Sequence, residues 1–322
     1  MTSDYYVGYN SGMSKNPKSS GSSQVTENPP FIIVHKALSI SLIALIIFIV
    51  SGVMWWRQVY NNPRRVFETM LSNNLSTQGV TRSSKSVSEG TPIDKTEQIS
   101  FVPKIASRTL VIIDQKAPDG ASTSITSETI GTLSEDYSRY IKINTSQKNA
   151  EGKPLDYSKV INIWGKSDSL QGEPQNFSQA TLGLIPFANL NESTKNKVLE
   201  VMNKTNAYEV DYSKVEPKVV GNKAALVFPV KVNTAGYVEA LKIVAKATGL
   251  GDTPGLDPKS YKDQPPIEIK IIIDKHSRHI LEVDYGQDQK EQYSAYGLSL
   301  PIELPNKTIP INELQQKVQD IK

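Results

Sequence analysis

The chain of 322 residues contains no cysteine. That single absence excludes disulfide staples, thiolate metal sites, a cysteine nucleophile and a lipid-modified N-terminal cysteine. Histidine is nearly missing as well, with His35, His276 and His279 the whole supply. The spacings that mark nucleotide or acyl-transfer chemistry do not occur: there is no G-x-x-x-x-G-K-[ST], no G-x-G-x-x-G and no G-x-S-x-G. Carboxylates are scattered as a solvated surface scatters them. No enzymatic activity and no cofactor are therefore expected.

Charge of one sign is lacking too. Of 36 Lys and Arg and 33 Asp and Glu, only Lys15, Lys18, Lys36, Asp4 and Glu27 lie before residue 57, so the remainder stays nearly balanced. A balanced domain does not form the basic face that nucleic acid requires, and no nucleic-acid partner is expected. Asp274, His276 and His279 contain residue types that ligate zinc. They lie in a string of turn composition, with Lys275 and Arg278 crowded against them. An exposed hairpin is expected there, and no metal.

What is present is one long apolar run, Ala37 to Trp56, without a charge. As a helix, 20 residues would span roughly 30 Å, the hydrocarbon thickness of a bilayer. Lys36 precedes it and Trp55, Trp56 and Arg57 close it, residue types that favour the headgroup layer. A single transmembrane helix is expected, with these four residues at the interfaces. A cleaved signal peptide fits less well, since 36 residues come first and no Ala-x-Ala site follows. Lys18 and Lys36 before the run against Arg57, Arg64 and Arg65 after it leave the positive-inside rule undecided. Long folded domains translocate largely regardless of charge, so the reading is N-terminus in the cytoplasm and C-terminal domain outside the cell membrane.

Residues 1–36, rich in Ser, Gly, Asn and Pro, read as a disordered tail, 37–56 as the membrane helix and 57–322 as an extracytoplasmic domain. Asn62-Pro63 opens a short amphipathic helix to Leu75. Short β-favouring runs follow at Thr81–Val87, Gln98–Val102, Arg108–Asp114, Ser122–Thr132, Tyr137–Ile143 and Lys159–Lys166. Helices are expected from Ser193 to Lys204 and from Thr234 to Gly249, with strands at Tyr208–Val215 and Ala224–Val232 between them. Ile267–Asp274, Arg278–Tyr285 and Glu291–Gly297 read as an antiparallel meander, and Ile311–Ile321 as a final helix. The pentad Asp-Tyr-Ser-Lys-Val occurs at Asp156–Val160 and again at Asp211–Val215; its flanks do not match, which favours coincidence over duplication.

The phrase Arg65-Val66-Phe67-Glu68-Thr69-Met70-Leu71, the stretch from Tyr208 to Leu250 and the meander from Ile267 to Tyr296 together resemble the LppX/LprG-type lipoproteins and the wider LolA/LolB group. The resemblance implies an α+β fold: a strongly curved antiparallel sheet, an incomplete barrel, with helices on its concave side, here preceded by one transmembrane helix. It also implies a lipid or other apolar ligand between sheet and helices. Ile141, Ile143, Ile161, Ile163, Leu226 and Phe228 offer an apolar strand face, and Tyr237, Leu241 and Val244 a helix stripe to oppose it. Expected partners are membrane lipid, that apolar ligand and cell-envelope proteins. The alternative is a non-enzymatic interaction or sensor module of a cell-envelope complex.

Overall fold

The structure is a computed structural model that describes residues 31–321, apart from 57–60, 118–119, 169–174, 252, 254 and 288; side chains are not described at 31–40, 168 and 175. Residues 1–30 of the expected tail and Arg57 fall outside the described residues and Lys36 outside the described side chains, whereas residues 31–36, expected in the disordered tail, are helical. Two compact units result, Met1–Met54 and Trp55–Lys322.

The first unit contributes the helix α1, Phe31–Trp55. From Leu42 to Trp55 its large apolar side chains are exposed. Among the described residues no helix is long and apolar enough to cross a membrane; the side chains of α1 are described only from Ser41 onward.

The second unit opens with α2, Pro63–Asn74. Asn62 accepts a hydrogen bond from the Arg64 N–H at 3.0 Å, and Pro63 takes the first turn, where its missing N–H costs nothing. Val66, Phe67, Met70 and Leu71 form its buried stripe. Five long strands follow as an antiparallel meander: β1 (Gly79–Ser88), β2 (Thr91–Ser100), β3 (Ala106–Lys116), β4 (Ser122–Thr132) and β5 (Glu135–Thr145). Then come β6 (Gly165–Asp168), α3 (Gln175–Thr181), α4 (Glu192–Lys204), β7 (Tyr208–Val210), β8 (Glu216–Val220), β9 (Lys223–Val232) and α5 (Thr234–Ala247). The meander β10 (Ile267–Asp274), β11 (Ile280–Gly286) and β12 (Gln289–Ser294) follows, and β13 (Ile309–Pro310) and α6 (Ile311–Gln319) end the chain.

Among the described residues these thirteen strands make one sheet, in the order β13-β6-β5-β4-β3-β2-β1-β12-β11-β10-β9-β7, with β8 paired to β9. It does not close: β13 and β7 stand at opposite ends. Every pairing is antiparallel except β13 with β6. The two meanders join where β1 pairs with β12, Thr81 opposite Ser294, strands separated by most of the domain's sequence.

Several sequence expectations change in detail, each for a local reason. The strand expected at Lys159–Lys166 shrinks to Gly165–Asp168 because Asn162 turns to φ 60°, a left-handed conformation that asparagine tolerates and an extended strand cannot. The strand expected at Tyr208–Val215 ends at Val210, where Asp211 Oδ1 accepts the Ser213 N–H and starts a 3-10 turn. In the first copy of the same pentad, Asp156 Oδ1 accepts the Ser158 N–H in the same way. The repeat is a shared turn, whatever its history. The helix expected from Ser193 starts at Glu192, because Asn191 caps it, accepting from the Thr194 N–H at 2.9 Å.

Candidate functional site

Paired residues of neighbouring strands point to the same face, so the registers divide the sheet into rows. The first row on the helix-bearing face runs Val80, Ile99, Ser107, Gly131, Asp136 across β1 to β5. Helix α3 lies on it. A Cβ at Gly131 would come within 2.6 Å of the Phe177 backbone nitrogen, so only glycine admits the helix at this depth. Asp136 Oδ2 accepts the Asn176 N–H at 3.3 Å near the start of that helix.

Around this row the domain is filled. Phe177, Phe187, Val198, Phe228, Val244, Ile271 and Val283 are buried in one cluster that joins α2, α3, α4 and α5 to β1, β2 and β9–β12. The segment from Leu182 to Leu190 packs into it, and its carbonyls take the hydroxyls of two tyrosines: buried Tyr237 donates to Gly183 O, and half-buried Tyr208 to Leu184 O at 2.8 Å. Burial pushes both phenols above their ordinary pKa. Five of the residues expected to line a ligand cavity, Leu226, Phe228, Tyr237, Leu241 and Val244, lie in this packed cluster, none more than 8% exposed.

The other four lie elsewhere. Ile143 is on β5 at the far end of the sheet, and Ile141 is the extra residue of a bulge between the paired positions Tyr140 and Lys142. Ile161 bridges to Tyr140 beside the edge of β5, and Ile163 is half-buried just before β6. None of the four belongs to the packed cluster.

Beyond the first row the helix-bearing face changes character. The second row is polar, buried at Tyr293, Arg82, Glu97 and Thr109 and half-buried at Thr129. Arg82 and Glu97 form an ion pair with each other, Thr109 Oγ1 donates to Glu97 Oε1 at 3.2 Å, and Lys95 Nζ reaches the same oxygen at 3.0 Å. On its other side Arg82 lies 3.5 Å from Glu291, which also accepts from the hydroxyls of Tyr285 and Tyr293. Burial works against the Glu97 carboxylate, but Arg82 and Lys95 outweigh it and hold the pKa below the usual value.

The third row runs Ser84, Lys95, Val111, Ser127, Tyr140, and the fourth Ser86, Ile93, Ile113, Ile125, Ile143. Four isoleucines stand side by side on four strands, each half-buried, and none belongs to a packed cluster. The fifth row is polar again: Ser88 with Thr91, then Gln115, Thr123 and Thr145. An open cleft of about 580 Å³ at these strand ends is lined by Thr91, Pro92, Gln115, Thr123 and Thr145 among others.

Sequence patterning located Ile143 but not its partners. The first half of β2 is masked by Pro92, Asp94 and Lys95, which depress strand propensity. Ile113 and Ile125 lie in strands that alternation identifies, yet no local signal says that they stand opposite Ile93 and Ile143.

The opposite face has its own buried acid: Glu128 pairs with Arg108 and Arg139, and Arg139 lies over the Trp164 ring at 4.5 Å. At the turn between β10 and β11, Asp274 Oδ1 accepts the N–H groups of His276 and Ser277, and the His279 ring stacks on Tyr296 at 4.2 Å. Among the described residues no group of three or more His, Asp or Glu is arranged to hold a metal.

No protein-family model and no curated protein sequence matches this chain. Among solved structures the chain is similar to the porin-like protein from Bacteroides uniformis ATCC 8492, at 8% identity over 68% of this chain and 96% of that one, with a TM-score of 0.18. It is also similar to LprF from Mycobacterium bovis, at 10% identity over 78% of this chain and 95% of that one, with a TM-score of 0.35. LprF is a lipoprotein of the LppX/LprG family, the group that the sequence resembles.

Proposed function

We propose that this chain is a single-pass protein of the cell membrane whose C-terminal domain, on the outer side, binds an apolar chain such as that of a lipid on the uncovered end of its helix-bearing sheet face. The observation that carries this reading is the row Ile93, Ile113, Ile125, Ile143, directly paired and half-buried beyond the packed core. Four adjacent isoleucines are an unusual outward row for a sheet, whose uncovered faces are normally polar. The reading includes the strongly curved, incomplete-barrel form suggested by the sequence, which would turn this row into a trough. It is a binding role and involves no bond-making chemistry.

Membrane anchoring rests on the uncharged run Ala37 to Trp56, and on the exposed apolar side chains of α1 from Leu42 to Trp55. A second reading, an interaction module for another envelope protein, draws on Leu298 and Leu300, both more than half exposed after β12.

Because the chain lacks cysteine, a single cysteine placed at exposed Ser277 reports topology directly. A membrane-impermeant maleimide should label it on intact cells; labelling only after lysis reverses the orientation. For the ligand, native mass spectrometry of the purified protein should find a co-purified apolar molecule that Ile125→Lys loses. A chain that carries none, and takes up no acyl probe, leaves the interaction module.

A further inference from the structure

The apolar row is bordered mostly by polar residues and is unequal at its two ends, and these two facts specify what fits it. On the core side it is bordered by Ser84, Lys95, Val111, Ser127 and Tyr140, and on the outer side by Gln115, Thr123 and Thr145. The hydroxyls of Thr123 and Thr145 lie 2.8 Å apart, so that border is tied in a hydrogen bond of its own. A second alkyl chain lying beside the first on the core side would find apolar footing only at Val111 and the Tyr140 ring and would cover Ser84, Lys95 and Ser127 at a desolvation cost. One chain fits and two do not.

Along the row, the β5 end is isoleucine and the β1 end is Ser86, beside Ser84 and Lys95. Within the two inner rows from β1 to β5, Lys95 is the one charged side chain, and it is about one-third exposed. Its ammonium touches Glu97, but Glu97 is already ion-paired to Arg82 and receives the Thr109 hydroxyl. Lys95 can therefore turn one of its three N–H donors to a ligand without stranding the buried acid. The neighbouring acid on β12, Glu291, is held by Tyr285, Tyr293 and Arg82.

We infer that the sheet face binds a single-chain amphiphile with an anionic head, a fatty-acid-type carboxylate, lying across the strands with its head at Lys95, Ser84 and Ser86 and its tail over Ile113, Ile125 and Ile143. One ammonium matches one negative charge. Strands stand about 4.8 Å apart, so the distance from β2 to β5 is about 14 Å, the reach of roughly a dozen carbon–carbon bonds of about 1.5 Å in zigzag. The inference rests on the apolar-chain reading above and adds the number of chains, the charge of the head and the direction of the ligand.

The test uses the full chain held in amphipol and three photoreactive probes with the same diazirine-bearing tetradecyl chain: a carboxylate, a phosphate monoester and an uncharged maltoside. Cross-linked peptides are located by mass spectrometry. Labelling by the carboxylate should fall on β3, β4 and β5. Lys95→Gln should raise its half-labelling concentration about tenfold, the usual weight of one charge-assisted hydrogen bond, while Lys95→Arg restores it and the maltoside is unaffected by either. Ile113→Ser, a milder change than Ile125→Lys, should weaken all three probes. Equal labelling by carboxylate and maltoside, with no effect of Lys95→Gln, overturns the anionic head and leaves the apolar-chain reading standing. A phosphate preferred over the carboxylate overturns the carboxylate assignment. If no probe labels these strands, both readings fall.

Discussion

Glu97→Gln is the sharpest test of how the second row is built. Glu97 is 1% exposed and Arg82 9%, so the guanidinium has no water to turn to when its partner loses charge. Removing one member of a buried pair costs about 3–5 kcal/mol, because the remaining charge is left uncompensated. Arg82 keeps Glu291 at 3.5 Å, which places the expected loss near the lower end, about 3 kcal/mol. Replacing both members, Arg82→Met with Glu97→Leu, leaves Glu291 to the hydroxyls of Tyr285 and Tyr293 and should cost far less than Arg82→Met and Glu97→Leu added together. Urea unfolding followed by circular dichroism reads the wild type, Arg82→Met, Glu97→Leu, their double variant and Glu97→Gln, with the denaturant slope unchanged if only the native state is affected. pH adds an independent check. Glu97 has a folded pKa below its ordinary 4.5, so its contribution is fully present above pH 4.5 and disappears as pH falls through the lower folded value. Glu97→Gln should flatten that part of the stability curve. If the single changes and the double change are additive, Arg82 and Glu97 do not act as a unit and the account of the row fails.

Gly131→Ala should destabilise the domain by about 1–3 kcal/mol through overpacking under α3, and near-ultraviolet circular dichroism should report the disturbed Phe101–Phe177 packing. Leu241→Trp is expected to cost about 1–3 kcal/mol because Leu241 is 3% exposed in a filled cluster; a tolerated tryptophan that displaces a bound lipid would put the cavity back between α5 and the sheet. His279→Phe keeps the stack on Tyr296 and removes a titration. Burial, with Lys223 adding to it, lowers the folded pKa of His279 below 6.5 against the pull of Asp274, so the wild-type domain loses stability as pH falls from 6.5 towards the folded value. Thermal melts at pH 7.5 and 5.5 should differ less for the variant.

The elements were legible wherever a short pattern decides them. Asn62-Pro63 marks the start of α2, β4 runs over the residues that its composition indicates, and β10 starts and ends at Ile267 and Asp274. Short or charged elements were not. The seven-residue helix α3 owes its place to the gap above Gly131 rather than to its own propensity, and β2 begins among charges. β8 escaped because Glu216, Pro217 and Lys218 carry no strand signal, yet they pair with β9 through Val227, Leu226 and Ala225. The candidate site was legible only in part. Ile143 could be picked out on its strand, but neighbourhood in a sheet is set by register, and register depends on distant chain.

The pairing of β1 with β12 has a consequence in time as well as in space. Residues 79–88 are synthesised long before residues 289–294, and until those arrive one edge of β1 has open N–H and C=O groups. Closing so large a loop makes the contact slow to form, which places this domain among high-contact-order folds whose rate is governed by topology. The first meander, β1 to β5, can assemble early with its isoleucine row already aligned, while its β1 edge waits. Ser83, Ser84, Lys85 and Ser86 line much of that edge. A charge and a run of hydroxyls are poor material for sticking to another chain, so the same polarity that borders the apolar row also guards the nascent protein against pairing with its neighbours.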